Sequence, residues 1–221
     1  MSDGPPVRPG EREDWRSYYE KTGSRAPRPT LLIALERFDS EGPEADRRMA
    51  VDLGCGNGRD AVELLRRGWR VLAVDAEASA IEGLLARPDL PADGGLETKV
   101  ARFEDAGLPR CDLINSSFAL PLCPPAAFPR VWERIRAALR PGGRFAGQLY
   151  GDHDSWVGNP AIAFHTRAEV EGLLAGLEIE HLREEEDDSV TPRGKPKHWH
   201  IFHVVARKPQ PQSVSGARSS P

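Results

Sequence analysis

Short apolar runs of strand length alternate along this chain with segments whose apolar residues recur at helical spacing. Residues 50–53 (AVDL) form the first run, and after a glycine-rich loop residues 59–67 place Ala61, Leu64 and Leu65 on one helical face. Gly68 ends that helix. A second strand over 70–75 (RVLAVD) leads to a helix over 79–86, which Pro88 and Pro91 stop before a third strand over 96–103. A fourth strand is predicted at 112–116, an amphipathic helix over 128–139, and a fifth strand over 144–150 after a Pro-Gly-Gly turn. The last helix is expected over 166–175. There the alternation stops, because 177–186 and 200–208 both read as strands with only a charged loop between them. The pattern predicts an α/β fold: a seven-stranded mixed sheet of five parallel strands plus a C-terminal antiparallel hairpin, with helices on both faces.

Composition narrows the class. Hydrophobic residues make up 39% of the 221, and the 21 glycines bring the apolar share to the level of soluble globular chains. Residues 1–13 and 209–221 are Pro, Gly, Ser and charge, so both are expected to be disordered tails around one domain over 14–208, with 14–40 as an N-terminal lid. No apolar run approaches the length of a membrane span, and the charged start lacks a signal peptide's apolar stretch, which points to a cytoplasmic protein without a membrane partner. A net charge of −4 without a basic run argues against nucleic acid. Cys55, Cys111 and Cys123 have no CxxC spacing and are read as reduced thiols. His198 and His200 share one face of an extended strand while His203 points to the other, and no Cys or carboxylate stands at ligand spacing, so no metal is expected. Pairing of chains is left open between monomer and homodimer.

The most informative segment is Val51-Asp52-Leu53-Gly54-Cys55-Gly56-Asn57-Gly58, with glycines at every second position rather than in the GxGxxG of dinucleotide sites. Gly54 and Gly56 let the backbone turn tightly and approach a ligand, and Gly58 opens the helix where a side chain would block it. Asp52 would repel a pyrophosphate and attract an ammonium group. S-adenosylmethionine (SAM) carries that ammonium and no phosphate. Asp75 ends the second strand, where a carboxylate accepts hydrogen bonds from both hydroxyls of a ribose. Phe103 and Glu104, at the third strand's end, would supply an aromatic face and an acceptor to adenine.

VDLGCGNGRDA, VLAVDA, CDLINSSFALPLCPP and LRPGGRFAGQLYG, in that order, resemble the motifs of the Rossmann-like class I SAM-dependent methyltransferases. WRSYYEKTG near the start and the compact size resemble the tellurite-resistance type of small bacterial methyltransferase and its relatives. The resemblance implies SAM as cofactor. It places Asp52, Gly54, Cys55, Gly56 and Gly58 around the methionine part, Asp75 and Ala76 at the ribose, Phe103 and Glu104 at the adenine, and Asn115 and Ser116 near the sulfonium.

Methyl transfer from a sulfonium is an in-line displacement with a neutral leaving group, so alignment and exclusion of water are the main demands. In this fold the acceptor, expected to be a small molecule, meets the N-terminal lid and the segments after strands four and five. Tyr18, Tyr19, Arg28, Phe118, Gln148 and Trp156 are the candidate substrate contacts, with Arg28 between two prolines suited to clamp a carboxylate. Asp152 and His153 are the candidate proton acceptors. Two rival readings keep the same pocket: an enzyme that attacks another carbon of SAM and releases methylthioadenosine, and a non-catalytic SAM-binding protein.

Overall fold

The computed structural model describes residues 25–42, 47–92, 94–191 and 194–211. The tail over 1–13, most of the tail over 209–221, and Tyr18 and Tyr19 lie outside the described residues. Among the described residues no helix is long and apolar enough to cross a membrane.

The elements in chain order are α1 (Pro29–Ser40), β1 (Met49–Leu53), α2 (Arg59–Arg66), β2 (Arg70–Asp75), α3 (Ala78–Leu85), β3 (Leu96–Val100), β4 (Cys111–Ser116), α4 (Phe128–Ala138), β5 (Leu139–Gly151), β6 (Phe164–His165), α5 (Arg167–Leu173), β7 (Glu178–Val190) and β8 (Pro196–Arg207). The sheet runs β3-β2-β1-β4-β5-β8-β7, parallel as far as β5 and antiparallel across β8 and β7. The chain therefore builds outward from β1 in one direction, then returns to build in the other. The crevice between the carboxyl ends of β1 and β4 is where such a sheet opens to a ligand.

Two apolar layers cover the sheet. On one face α1, α2 and α3 bury Leu31, Leu35, Leu64, Leu65 and Leu84 against Val71, Leu113 and Val205. On the other, α4 and α5 bury Phe128, Trp132, Ile135 and Val170 against Val51, Phe145 and Phe202. Thr166 caps α5, accepting from the Glu169 amide while Glu169 accepts from the Thr166 amide at 2.7 Å.

Of the segment 14–40 expected as a lid, the described residues are 25–40. From Pro29 the chain is a core helix, since Leu31, Ala34, Leu35 and Phe38 follow the i, i+3, i+4, i+7 rule and are buried. Arg144 fixes that helix in place: it is buried in β5, bonds both Glu180 oxygens at 2.7 and 2.8 Å, and reaches Glu41 just beyond α1 at 2.6 Å.

Three boundaries also shift. β3 ends at Val100, and Phe103–Asp105 form a tight turn that swings Phe103 toward the glycine loop. β5 continues through Pro141-Gly142-Gly143, with a register shift between Cys111 and Leu113 where the turn was expected. The hairpin is longer than the apolar pattern allows: Glu186 stands opposite His200 and Asp188 opposite His198, and cross-strand side-chain pairs sustain a strand of weak β-formers. β6 is an additional two-residue strand, parallel to β5 beside Tyr150 and Gly151.

Candidate active site

β1 delivers Asp52 to the crevice fully buried, with Asn115 of β4 as its register partner. The chain then turns through Gly54, Gly56 and Gly58, all at positive φ (79°, 53° and 82°), the left-handed region that side chains other than glycine rarely adopt. The amides of Gly54 and Cys55 both donate to the Val74 carbonyl, and Asp75 accepts from the Gly56 amide at 2.8 Å and the Glu77 amide at 2.9 Å. Asp75 thereby ties the loop to the end of β2, with Ala76 half-buried next to it. The Cys55 thiol is buried and pushed well above its ordinary range, first by burial and then by Asp52 and Asp75, so it stays protonated.

Asp60, in the first turn of α2, is the hub that sequence reading missed. Its Oδ2 accepts from Asn115 Nδ2 at 3.0 Å and from the Ser117 hydroxyl at 2.6 Å, and its Oδ1 accepts from the Arg28 amide at 3.0 Å. Asn115 Nδ2 also donates to Asp52 Oδ1 at 2.8 Å. One side chain therefore bridges two buried carboxylates, and Ser116 anchors β4 to β1 through the Leu53 carbonyl at 2.8 Å. The available signal was an acid on the helical face shared by Ala61 and Leu64.

Asp52 Oδ2 is buried without a hydrogen-bond partner. Burial, then the nearby charge of Asp60, push the Asp52 carboxyl up to about 8, against the lowering donation from Asn115. An orphaned acceptor among three buried carboxylates suits an ammonium-bearing ligand and disfavours a phosphate. These residues fit SAM: Asp52 would face its amino group, the glycine loop its methionine part, and Asp75 its ribose. Phe103 comes within contact distance of the loop, with its Cε1 3.6 Å from where a Gly54 Cβ would stand.

The raised Asp52 value has a sign. The folded chain without ligand binds more protons at this group than the unfolded chain between about pH 4 and pH 8, so the group's contribution to stability falls as pH rises through that window. A cationic ligand prefers the carboxylate form. Affinity for SAM is therefore expected to rise from about pH 6 to about pH 7, where an α-amino group is still mainly ammonium. Calorimetric titrations at both pH values should show this slope for the natural chain and lose it in an Asp52→Asn variant.

Beside the crevice lies a second group. The Phe118 amide donates to Gln148 Oε1 at 3.0 Å, and Gln148 Nε2 donates to Thr30 at 2.9 Å, which joins β4, β5 and α1. Phe118 is held at a positive φ of 56°. The Arg28 guanidinium lies 4.3 Å over its ring, half-buried and without an ion-pair partner among the described residues. His203 was not foreseen here, yet it is the register partner of Gln148 and meets the Phe118 ring edge-on at 6.3 Å. Burial, then the charges of Arg183, His181 and Arg28, lower His203 to about 4 and keep it neutral at physiological pH. An inward histidine in an alternating strand was the sign to follow.

Trp156 packs on Tyr150 and Trp199 with ring centroids 6.1 and 5.6 Å away, and Tyr150 leads back to Phe118 at 6.5 Å. Asp152 and His153 are turned away from this group. Both are exposed, and the His153 ring stacks at 4.8 Å on His200, which meets Phe202 on the face of β8 opposite to His203. The expected proton acceptors therefore do not join the Asp52–Asn115–Asp60 network. Cys123 is buried with its thiol pushed up to about 12 by burial and then by Glu104, so it presents no thiolate.

A family model described as a methyltransferase domain matches residues 50–143, the stretch that carries the glycine loop, Asp75, Asn115 and Phe118. The trans-aconitate 2-methyltransferase of Deinococcus radiodurans is 32% identical over 118 residues, covering 51% of this chain and 42% of that protein, so the match spans less than half the length of this relative. Among solved structures, TehB from Haemophilus influenzae superposes with a TM-score of 0.69 at 17% identity, over 86% of this chain and 65% of its own. The 1,6-didemethyltoxoflavin-N1-methyltransferase of Burkholderia thailandensis, with bound 1,6-didemethyltoxoflavin and S-adenosylhomocysteine, gives 0.60 at 24% identity over 95% and 94%. The structural likenesses are likenesses of fold. Residues 50–143 thus match a methyltransferase domain, and the fold is shared with solved methyltransferases.

Proposed function

We propose that this protein transfers the methyl group of SAM to a small acceptor that carries an anionic group. The observation that carries the reading is the Arg28 guanidinium, packed on Phe118 at the end of β4 with no ion-pair partner among the described residues. A half-buried arginine of that kind fits a carboxylate, which it engages with two parallel hydrogen bonds. A relative named for trans-aconitate, a carboxylate, points the same way.

SAM supplies an electrophilic methyl on a sulfonium. The chain's own tasks are then to align and to exclude water. Asn115, held between Asp52 and Asp60, keeps the floor of the crevice rigid, and the Phe118–Gln148–Thr30 chain fixes the wall beside it. Tyr150, Ile162 and Ile201 form a small apolar cluster with Phe118 and Trp156 packed on it, which limits entry of water from that side. An acceptor atom that is already an anion needs no proton removed.

The test is incubation with SAM and a panel of carboxylic acids beside their amides and esters, with the nucleoside and acceptor products read by mass spectrometry. S-adenosylhomocysteine together with a methylated acid is the expected result. Turnover confined to neutral or cationic acceptors would overturn the reading, as would methylthioadenosine formed without any acceptor. An Arg28→Ala variant is expected to raise KM for the acid by roughly tenfold or more, the loss of one charge-assisted contact, while SAM affinity stays within about twofold.

A further inference from the structure

On the face of β8 away from Phe118 and His203, three elements bring imidazoles and carboxylates together. We propose that His153, Glu186 and His200 form a binding site for a divalent transition-metal ion, zinc by the nature of its donors. His153 comes from the loop after β5, Glu186 from β7 and His200 from β8. Their ligand atoms lie within 4.8 Å of one another. A tetrahedral ion about 2.0–2.2 Å from each ligand sets them about 3.4 Å apart, so a closure of roughly an ångström is required. His153 and Glu186 are exposed and have the freedom to make it, while His200 is buried and fixed.

The tautomer of His200 is set by its surroundings. Its Nε2 stands 2.9 Å from Glu184 Oε1, a carboxylate that only accepts, so the proton resides on Nε2. Nδ1 then presents its lone pair toward His153, whose amide approaches it at 3.1 Å. An ion at Nδ1 would take the place of that amide hydrogen bond. A carboxylate that holds one imidazole nitrogen as N–H and leaves the other as an acceptor is the arrangement that supports metal-bound histidines. Glu186 Oε1 is already approached from two sides, by His153 Nδ1 at 3.3 Å and by His198 Nε2 at 3.0 Å. Asp152 Oδ1 lies 3.7 Å from His200 Nδ1.

Backbone geometry makes room for the cluster. A Cβ on Gly151 would stand 2.0 Å from His200 Nδ1, so glycine at the end of β5 is what admits the ring. Glu186 and Asp188 reach the histidines through the hairpin register, Glu186 opposite His200 and Asp188 opposite His198. Two nitrogens and one carboxylate oxygen suit zinc better than magnesium or calcium, which favour all-oxygen shells. An ion there would clip the loop after β5 to the hairpin. Its role would be to hold Trp156 and Tyr150 in place, outside the methyl-transfer chemistry.

The experiment uses the full chain with any affinity tag removed and metal stripped by a chelator. Zinc chloride is titrated by calorimetry, and cobalt(II) chloride by visible absorption. One zinc per chain, tetrahedral cobalt bands, and a melting temperature raised by zinc are expected. His153→Ala and Glu186→Gln change exposed side chains and should leave the circular dichroism spectrum unchanged. Each should weaken zinc binding by roughly tenfold or more, since even supporting partners of a metal ligand are worth that much. Absence of stoichiometric binding by the natural chain would overturn the proposal, and so would equal zinc affinity in both variants.

Discussion

Replacing Gly54 by alanine is expected to weaken SAM binding on the order of 100-fold while leaving the protein folded. Two costs combine at this position. The backbone sits at φ +79°, where an alanine loses about 1–2 kcal/mol relative to glycine. The added Cβ would also stand 2.2 Å from the Cβ of Ala119, an atom with no rotamer to adopt, so the segment after β4 must move. That segment carries Ser117, bonded to Asp60, and Phe118, bonded to Gln148. The strain therefore passes directly into the crevice. Gly42→Ala is the matched control, because its φ is +88° and a Cβ there meets nothing within 4 Å. Calorimetry on the two variants separates the outcomes: a Gly54→Ala protein that binds SAM as the natural chain does would show that the loop is not the cofactor's cradle.

The largest effect on stability is expected from Lys197→Ala. Lys197 and Asp154 form an ion pair whose side chains are both 0% exposed, and the ammonium lies 4.0 Å from the Trp156 ring centre and 4.2 Å from that of Trp199. Burial pulls the Lys197 ammonium below its usual range, and Asp154 pulls it back up. Removing the lysine leaves a carboxylate in a dry site that already serves the Trp156 amide at 2.9 Å. Loss of one partner of a buried pair costs about 3–5 kcal/mol, which for a chain of this size lowers Tm by on the order of 10 °C. The double change Lys197→Met with Asp154→Asn should lose less than Lys197→Ala alone. Urea unfolding checks both, and a single-variant loss under about 1 kcal/mol would contradict this account of the pair.

Much of the fold and of the candidate crevice's geometry is legible in the sequence because their signals are local. The alternation of strand and helix, the glycines at every second position after Asp52, and an acid at the end of β2 each occupy a few adjacent residues. Features set by pairing across the sheet are not legible in this way. The hairpin runs past the expected end at 186 to Val190, with Asp187 opposite Trp199 and Asp188 opposite His198, and a strand of two residues such as β6 has no period to read. Asp60 and His203 went unseen for the same reason. Each is one polar residue in an apolar stripe, and its partners lie 55 residues or more away in sequence for Asp60–Asn115 and Asp60–Ser117, or across two strands for His203. Asp152 and His153 were placed correctly at the end of β5, but the side to which the loop turns depends on the stacking of His153 against His200. Leu31, Ala34, Leu35 and Phe38 carry the periodicity of a core helix, which the reading of that segment as part of a lid passed over.

The central claim is that the crevice between β1 and β4 holds SAM. It is tested most directly by calorimetric titration of SAM into the full chain near pH 7. Saturable binding of one SAM per chain is expected, lost or severely weakened in the Gly54→Ala protein and unaltered in the Gly42→Ala control. Absence of binding by the natural chain, or binding indifferent to the change at Gly54, would contradict it.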